Sequence, residues 1–174
     1  SLVSKYFFPK DSTGLLFGIE NDLFKWEASA SNGYFEHDPD QNTDVTVTVT
    51  VSDAHQNEAD TSGPALVDAL KKAGHEMVRH DRTGNDRASI ASVLEQTAAE
   101  CDVVFLTGGT GLGPKDVTVE VVESLVEKTL DGFGEAFRRA SVEQIGARAM
   151  LSRATAGVLR GCLIFVVPGS TKGA

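Results

Sequence analysis

Hydrophobic and polar residues alternate strictly in VTVTVTV (residues 45–51), and this two-residue period is that of a β-strand. Valine and threonine both favour strands. Two further runs, DVVFL (102–106) and CLIFVV (162–167), are apolar without alternation, as central strands of a parallel sheet are. HEMVRH (75–80) is a shorter strand candidate. The pattern therefore predicts four strands.

Helical periods occur between these strands. SGPALVDALKKAG (62–74) carries apolar residues at i, i+3, i+4 and i+7 spacing. Ser62 can cap this helix, Pro64 suits its first turn and Gly74 ends it. Asp86 precedes a second helix. The apolar faces of the second and third helices are marked by Ile90, Val93, Leu94 and Thr97, and by Val121, Val122, Leu125 and Val126.

After the third helix the pattern predicts a short element near residues 134–140 and a separate helical turn at 141–144, where SVEQ fits a capping box. Strands that alternate with helices of this length form βαβ units with right-handed crossovers. The predicted fold is α/β, a three-layer, mostly parallel, doubly wound sheet. No helix follows the last strand before residue 174, which leaves open that the chain is truncated at its C-terminus.

The composition changes near residue 44. Residues 1–44 contain most of the aromatic side chains of the chain and show no helical or alternating period. A disordered tail is seldom so aromatic. We therefore divide the chain into an N-terminal extension, residues 1–44, and an α/β domain, residues 45–174. The extension is predicted to be an arm that docks its aromatic side chains on the domain or on a neighbouring subunit.

Charge and composition exclude several classes of function. The net charge of −9 argues against nucleic-acid binding, which depends on clustered Lys and Arg. No apolar run approaches the roughly 18 to 20 residues of a membrane helix, and no signal peptide is visible, so we expect no membrane partner and a cytoplasmic protein. Cys101 and Cys162 adjoin strand-like runs and are predicted to be reduced, buried thiols. The four histidines lack the spacing of a zinc site.

Loops rich in Gly, Ser, Thr and Asp follow the predicted strands. In a doubly wound sheet, ligands bind beyond the carboxyl ends of the strands, which would bring these loops together. Glycines let backbone N–H groups turn towards an anion, and helix N-termini favour negative charge. The loops are Ser52-Asp53 with residues 60–63, residues 84–86, residues 107–118, and Pro168-Gly169-Ser170. This edge suits a phosphorylated ligand.

Each of these loops also has an ordinary structural explanation. The Gly-Gly-Thr-Gly segment is a common turn, and it lacks both the Walker pattern and GxGxxG. Asp86 and Asp116 can be helix caps, and Ser170 an ordinary turn serine. The residues by themselves predict a phosphate-binding α/β domain and leave its reaction open.

Five segments in unbroken order within residues 45–174 carry a family resemblance. They are SDAHQNEADTSGPALVDALKKAGHE, LTGGTGLGPKDVTVE, GFGEAFRRASVEQIG, LSRATAGVLRG and VVPGSTK. Together they resemble the MoaB/Mog family of molybdenum-cofactor biosynthesis proteins, to which the gephyrin G domain belongs. The resemblance implies a molybdopterin-binding α/β fold that assembles as a homotrimer or hexamer.

The resemblance also implies a reaction. The family transfers AMP from MgATP to molybdopterin, releasing pyrophosphate, and passes the adenylylated product to a molybdate-insertion protein. It implies that Asp116 and Asp86 are catalytic and hold Mg²⁺. The loops and the resemblance together predict a set of phosphate-binding residues: Ser52, Asp53, Ser62, Gly63, Thr107, Gly108, Gly109, Thr110, Gly111, Lys115, Pro168, Gly169, Ser170 and Lys172.

This chain departs from the family pattern at several positions. Lys115 replaces the usual arginine, Asn85 stands in place of a proline, and Val119 stands where proline is common. GSTKGA is closer to the MoaB branch than to Mog. The alternative to the enzyme is therefore a non-catalytic molybdopterin carrier or scaffold of the MoaB type. The related CinA and MoeA families fit GFGEAFR and SRATAG less well.

Overall fold

The computed structural model describes residues 46–52, 60–72 and 77–169, together with the backbone of residues 15–19 and 24–28. In the N-terminal extension, β1 (Leu15–Ile19) and β2 (Phe24–Ala28) form an antiparallel pair. These strands were not predicted, because no hydrophobic period marks them. The docking of the aromatic side chains in this extension lies outside the described residues and stays a prediction.

The domain is a six-stranded sheet of order β4-β3-β5-β8-β7-β6. Strands β4, β3, β5 and β8 are parallel, whereas β7 runs antiparallel to β8 and to β6. The elements are β3 (Thr46–Val51), α1 (Ser62–Lys72), β4 (Met77–Thr83), α2 (Arg87–Thr97), β5 (Val103–Thr107), α3 (Thr118–Leu125), β6 (Lys128–Thr129), α4 (Asp131–Ile145), a 3₁₀-helix (Gly146–Leu151), β7 (Thr155–Leu159) and β8 (Cys162–Val167).

Helices cover both faces of this sheet, so the predicted three-layer, mostly parallel fold is confirmed. Helices α1 and α4 pack on one face, and α2 and α3 on the other. Successive residues of β5 supply the two cores alternately. Phe105 points to the α1 and α4 side, where its ring stacks on Phe165 at 5.0 Å, and Phe165 lies 5.1 Å from Phe133 of α4.

Cys162 is buried among the residues beneath α2 and α3, and Cys101 is partly buried beside it. Their sulfur atoms lie 3.8 Å apart, and both are free thiols as predicted. The hydrogen bond with Cys101, together with burial, raises the pKa of the Cys162 thiol. In the part of the chain that the structure describes, no helix has the length and apolar character that crossing a bilayer requires.

The predicted break before residue 141 is wrong. A single helix, α4, runs from Asp131 to Ile145, and the Ser141 hydroxyl donates to the carbonyl of Phe137 at 2.8 Å. Phe133 and Phe137 are buried on one face before this point, and the helix continues beyond it to the bond from the N–H of Gly146 to the carbonyl of Val142. The capping-box pattern is therefore coincidental, because a serine in a helix interior can satisfy its hydroxyl on the preceding turn.

Strands β6 and β7 were not predicted from the sequence. Strand β7 joins β8 through Arg160 and Gly161, which both have positive φ, 52° and 85°. Two central residues of positive φ define the tight turn that matches the twist of an antiparallel pair. The Arg-Gly dipeptide is a weak signal for such a turn, which explains the omission.

A carboxylate accepts hydrogen bonds from the first residues of helix α1. Asp60 Oδ1 accepts from the N–H of Gly63 at 2.9 Å and from the hydroxyl of Ser62 at 3.4 Å, and Oδ2 lies 3.3 Å from Nε2 of His80. The acceptor at this end is therefore Asp60, whereas Ser62 had been predicted to cap the helix. Gly74, the predicted end of α1, lies outside the described residues.

Asp60 is stabilised in its charged form. Burial opposes its ionisation, but hydrogen bonds from Thr50 and Gly63 and the charges of His80 and Arg82 outweigh burial and hold the pKa of Asp60 below its usual 3.8. A depressed carboxyl pKa contributes stability above the unfolded pKa, and this contribution is lost as the pH falls through the folded pKa.

We therefore expect Asp60→Ala to lower the free energy of unfolding at pH 7 by about 1 to 2 kcal/mol, the cost of removing a helix cap. The difference from the wild type should shrink below the usual carboxyl pKa of 3.8. Urea unfolding at pH 7 and at pH 3 measures both values. Asp68→Ala, at an exposed position of α1, is the control. An equal loss in the two variants, or a difference independent of pH, would contradict this role.

Candidate functional site

A cavity of about 380 Å³ opens at the carboxyl ends of β3, β4, β5 and β8. Its volume is within the range of small-molecule sites, about 300 to 1,000 Å³. Eight of the residues that the sequence analysis selected line this cavity: Ser52, Ser62, Gly108, Gly109, Thr110, Gly111, Asp116 and Gly169. The edge of the sheet that was predicted to bind a ligand thus forms one concave site.

The loop after β5 has a shape that only glycine allows. Gly108 has φ +106° and Gly109 φ +64°, and a Cβ on Gly108 would overlap the carbonyl oxygen of Val51. A Cβ on Gly169 would lie 2.9 Å from Cα of Gly108, so these two backbones also pass in contact. The N–H of Gly108 donates to Val167 O at 3.2 Å. The glycines therefore let the loop pass close to β3 and β8.

Three consecutive N–H groups of this loop have no acceptor among the described residues. No described residue accepts a hydrogen bond from the N–H of Gly109, Thr110 or Gly111, and all three residues line the cavity. By contrast, the carbonyl of Gly109 is held, because it accepts from the N–H of Thr118 at 3.1 Å. Successive unbonded N–H groups at a concave surface form an anion-binding arrangement.

Arg153, in the segment before β7, holds the loop from outside. Its Nε donates to the carbonyl of Thr110 at 3.0 Å, and its Nη2 donates to the carbonyls of Gly111 at 2.6 Å and Asp116 at 3.1 Å. Its Nη1 donates to a carboxylate oxygen of Glu120 in α3. Hydrogen bonds from Arg153 hold the pKa of Glu120 below its usual value. One guanidinium therefore bridges the loop and the helix that follows it.

Arg153 was not predicted to be a site residue. The residue lies in the LSRATAG segment of the resemblance, but its partners are mostly backbone carbonyls, which no motif reveals. It also precedes β7, a strand that the pattern did not predict. A basic residue within the LSRATAG segment was the available signal.

Asp116 presents its carboxylate to the cavity. Oδ2 accepts from the N–H of Gly113 at 3.0 Å, and the N–H of Asp116 donates to the carbonyl of Gly113 at 3.0 Å. Asp116 does not cap α3, which begins after Val117 without a side-chain cap. An ionised carboxylate has about four acceptor positions, so Asp116 keeps capacity for a further partner.

Asp86 has a different role in the structure. It is the N-cap of α2, and its Oδ1 accepts from the N–H of Ser89 at 3.0 Å. Hydrogen bonds from the side chain and backbone of Ser89 lower the pKa of Asp86. Asp86 is not among the described residues that line the cavity. The structure therefore brings Asp116, and not Asp86, to the site.

Because Asp116 and not Asp86 lies at the cavity, the fit of the site to Mg²⁺ depends on Asp116. Within the described ranges, no three His, Cys, Asp or Glu side chains form a group able to hold a metal. Mg²⁺ needs fewer protein ligands, since it binds through one or two carboxylates together with water and substrate phosphates. Asp116 beside the glycine loop could supply one such carboxylate.

The other selected residues are placed as follows. The Thr107 hydroxyl donates to the carbonyl of Pro168 at 3.2 Å, so these two residues support the loops from behind. The N–H of Gly63 donates to Asp60 and is not directed at a ligand. Lys115 is exposed and is not among the described lining residues. Asp53, Ser170 and Lys172 lie outside the described residues.

Thr50 and Arg82 line the cavity and were not selected. Thr50 lies within β3, and its hydroxyl oxygen is 2.9 Å from Nε2 of His80. Arg82 lies in β4, which continues to Thr83, whereas the predicted strand ended at residue 80. The three additional strand residues carry Arg82 to the carboxyl edge, which the sequence pattern did not indicate.

Comparison with known proteins agrees with this geometry. A family model described as "Probable molybdopterin binding domain" matches residues 46–174. Molybdenum cofactor biosynthesis protein B of Bacillus subtilis is 40% identical over 71% of this chain and 74% of its own length. The protein of the same name in Escherichia coli is 42% identical over 71% and 74%.

Solved structures show the same relationship. The tungsten cofactor synthesizing protein MoaB from Pyrococcus furiosus aligns with a TM-score of 0.68 and 36% identity, over 75% of this chain and 85% of that one. The 75% of this chain that aligns is about the length of the α/β domain. The chain belongs to the MoaB/Mog family of molybdenum cofactor biosynthesis proteins, a molybdopterin-binding family.

Proposed function

We propose that this protein binds molybdopterin in the cavity and transfers AMP from MgATP to its terminal phosphate, releasing pyrophosphate. The observation that carries the proposal is the row of three N–H groups, at Gly109, Thr110 and Gly111, beside the carboxylate of Asp116. Backbone N–H groups bind phosphate oxygens without adding a flexible side chain. The cavity lies at the edge of the sheet where α/β proteins bind nucleotides and related ligands.

In the proposed reaction, an oxygen of the terminal phosphate of molybdopterin attacks the α-phosphorus of ATP. A new P–O bond forms, the bond from the α-phosphorus to the α,β-bridging oxygen breaks, and pyrophosphate leaves with that electron pair. The attacking phosphate is already ionised at neutral pH, so the step needs no general base. The obstacle is repulsion between two anions, together with their alignment.

The residues of this chain act on both obstacles. The loop N–H groups bind phosphate oxygens and fix their position, and Arg153 fixes the loop. Asp116 would hold Mg²⁺, which neutralises phosphate charge when bound. Asp86 caps α2 outside the described cavity wall and has no part in this proposal.

A non-catalytic carrier of the MoaB type would use the same cavity. It would bind molybdopterin through the same N–H groups and hand it on without reaction. The product of the enzyme, or the cargo of the carrier, would pass to a molybdate-insertion protein. The enzyme and the carrier would bind molybdopterin in the same way, so a measurement of turnover is needed to distinguish them.

The decisive experiment mixes the protein with molybdopterin and MgATP and follows pyrophosphate release and the mass of the pterin product. We expect adenylylated molybdopterin. Tight molybdopterin binding without product would instead identify the carrier. No molybdopterin binding would refute both.

A matched pair of variants tests the assignment of the carboxylates. Asp116→Asn should reduce turnover by roughly two orders of magnitude or more, because electrostatic stabilisation of the transition state is lost. Asp86→Asn should keep most of the rate, because asparagine also caps helices well. Molybdopterin affinity is measured alongside for both. Full turnover in Asp116→Asn would refute its role, and loss of turnover in Asp86→Asn would support a metal role for that residue.

The end of α4 supports self-association. Val142 and Ile145 in its last turns, and Met150 and Leu151 in the following 3₁₀-helix, are large apolar side chains exposed by 52%, 40%, 74% and 57%. Apolar groups exposed in such number at one end of a domain commonly form an interface. We propose that this surface, the apolar end of α4, joins copies of the chain into a trimer or hexamer.

A charge in this surface should break the assembly. We expect the Val142→Glu variant to have the mass of a monomer in light scattering, while the wild type has that of a trimer or hexamer. Val78→Glu, at a valine exposed by 59% on the edge strand β4, is the control and should leave the mass unchanged. A monomeric wild type, or dissociation by Val78→Glu alone, would contradict this assignment.

A further inference from the structure

Strand β4 carries two arginines whose side chains point to opposite faces of the sheet. In a strand, residues at even spacing share a face and residues at odd spacing do not. Arg79 and Arg82 are separated by three positions. Paired residues of neighbouring strands share a face, and Arg82 pairs with Thr50 whereas Arg79 pairs with Val47. Val47 packs in the core beneath α2 and α3, so Arg79 is on that side and Arg82 on the side of α1.

Arg79 already has two carboxylate partners. Its Nε lies 2.5 Å from Asp81 Oδ2, and its Nη1 lies 3.0 Å from Glu100 Oε2, in the segment after α2. The hydrogen bonds to Asp81 and Glu100 raise the pKa of Arg79. Its guanidinium thus belongs to a surface ion-pair group away from the cavity.

Arg82 has no comparable partner among the described residues. It lines the cavity, and no carboxylate of a described residue lies within 4.0 Å of its guanidinium. Asp60 contributes a negative charge nearby, but that carboxylate already accepts from Gly63 and Ser62 and lies beside His80. Within the described part of the chain the five N–H donors of Arg82 thus remain for an occupant of the cavity.

The described cavity wall carries more negative than positive charge, so the position of Arg82 matters for binding an anionic ligand. Asp60 and Asp116 are the acidic residues of the described wall, and Arg82 is its one basic residue. In a chain of net charge −9, a phosphorylated ligand meets repulsion at such a wall unless a cation opposes it. A guanidinium matches the geometry of phosphate oxygens with two parallel hydrogen bonds.

We propose that Arg82 binds a phosphate group of the ligand and is a specificity-determining residue of this site. The inference rests on the proposed function and extends it, because it assigns recognition of phosphate to the β4 wall as well as to the glycine loop. The shared chemistry is a phosphate group, whose source is either the terminal phosphate of molybdopterin or the phosphates of ATP.

The test measures dissociation constants of wild type and variants for molybdopterin, for molybdopterin lacking its terminal phosphate, and for MgATP. Arg82→Ala should weaken binding of one phosphorylated ligand by about tenfold or more, the scale of losing a charge-assisted hydrogen bond. Arg82→Lys should recover part of it, since the charge stays and the forked geometry is lost. Arg79→Ala is the matched control and should bind as the wild type does.

The pattern of loss identifies the phosphate. A loss for molybdopterin that disappears with the dephosphorylated pterin assigns Arg82 to the pterin phosphate, and a loss for MgATP assigns it to the nucleotide. Unchanged affinity of Arg82→Ala for both phosphorylated ligands overturns the inference and leaves the proposed function standing. If the wild type binds neither ligand, both fall. Melting temperatures of all three variants establish that each is folded.

Discussion

The site depends on one side chain that does not face it. Arg153 donates to the carbonyls of Thr110, Gly111 and Asp116 and reaches Glu120 in α3. Glycine residues allow a loop many backbone conformations, and restricting these conformations when a ligand binds costs free energy. The carbonyl of Thr110, to which Arg153 donates, belongs to the same peptide as the N–H of Gly111. The carbonyl of Gly109, which accepts from the N–H of Thr118, belongs to the same peptide as the N–H of Thr110. Contacts made behind the loop therefore fix the peptides that carry two of the three N–H groups at the cavity.

The rest of the site follows from the parallel sheet. Strands β3, β4, β5 and β8 end at one edge, and each contributes a residue or a loop to the cavity. Gly108 and Gly169 permit the loops after β5 and β8 to touch. Charges are then distributed locally, with Asp60 at the start of α1, Asp116 at the glycine loop and Arg82 on β4. Backbone donors and one arginine can in this way oppose the acidic charge of the protein at short range.

Local patterns were sufficient for much of the fold. The apolar runs of β5 and β8 and the helical periods of α1, α2 and α3 predicted those elements, and the loops that follow the strands predicted the edge where the cavity lies. Features defined by long-range contacts were not predictable. Arg153 acts on a segment about 40 residues earlier in the chain, with contacts at Thr110 and Gly111. Asp86 and Asp116 looked equivalent in sequence, yet one caps a helix and the other lines the cavity.

The most direct test of this account is the dissociation constant of molybdopterin for Arg153→Lys, compared with Arg139→Lys at an exposed position of α4. Lysine keeps the charge but cannot donate to three carbonyls and a carboxylate from one planar group. The account predicts that Arg153→Lys remains folded and binds molybdopterin about tenfold or more weakly, while Arg139→Lys binds as the wild type does. Equal affinities for Arg153→Lys and the wild type would show that the loop does not depend on Arg153 and would contradict the account.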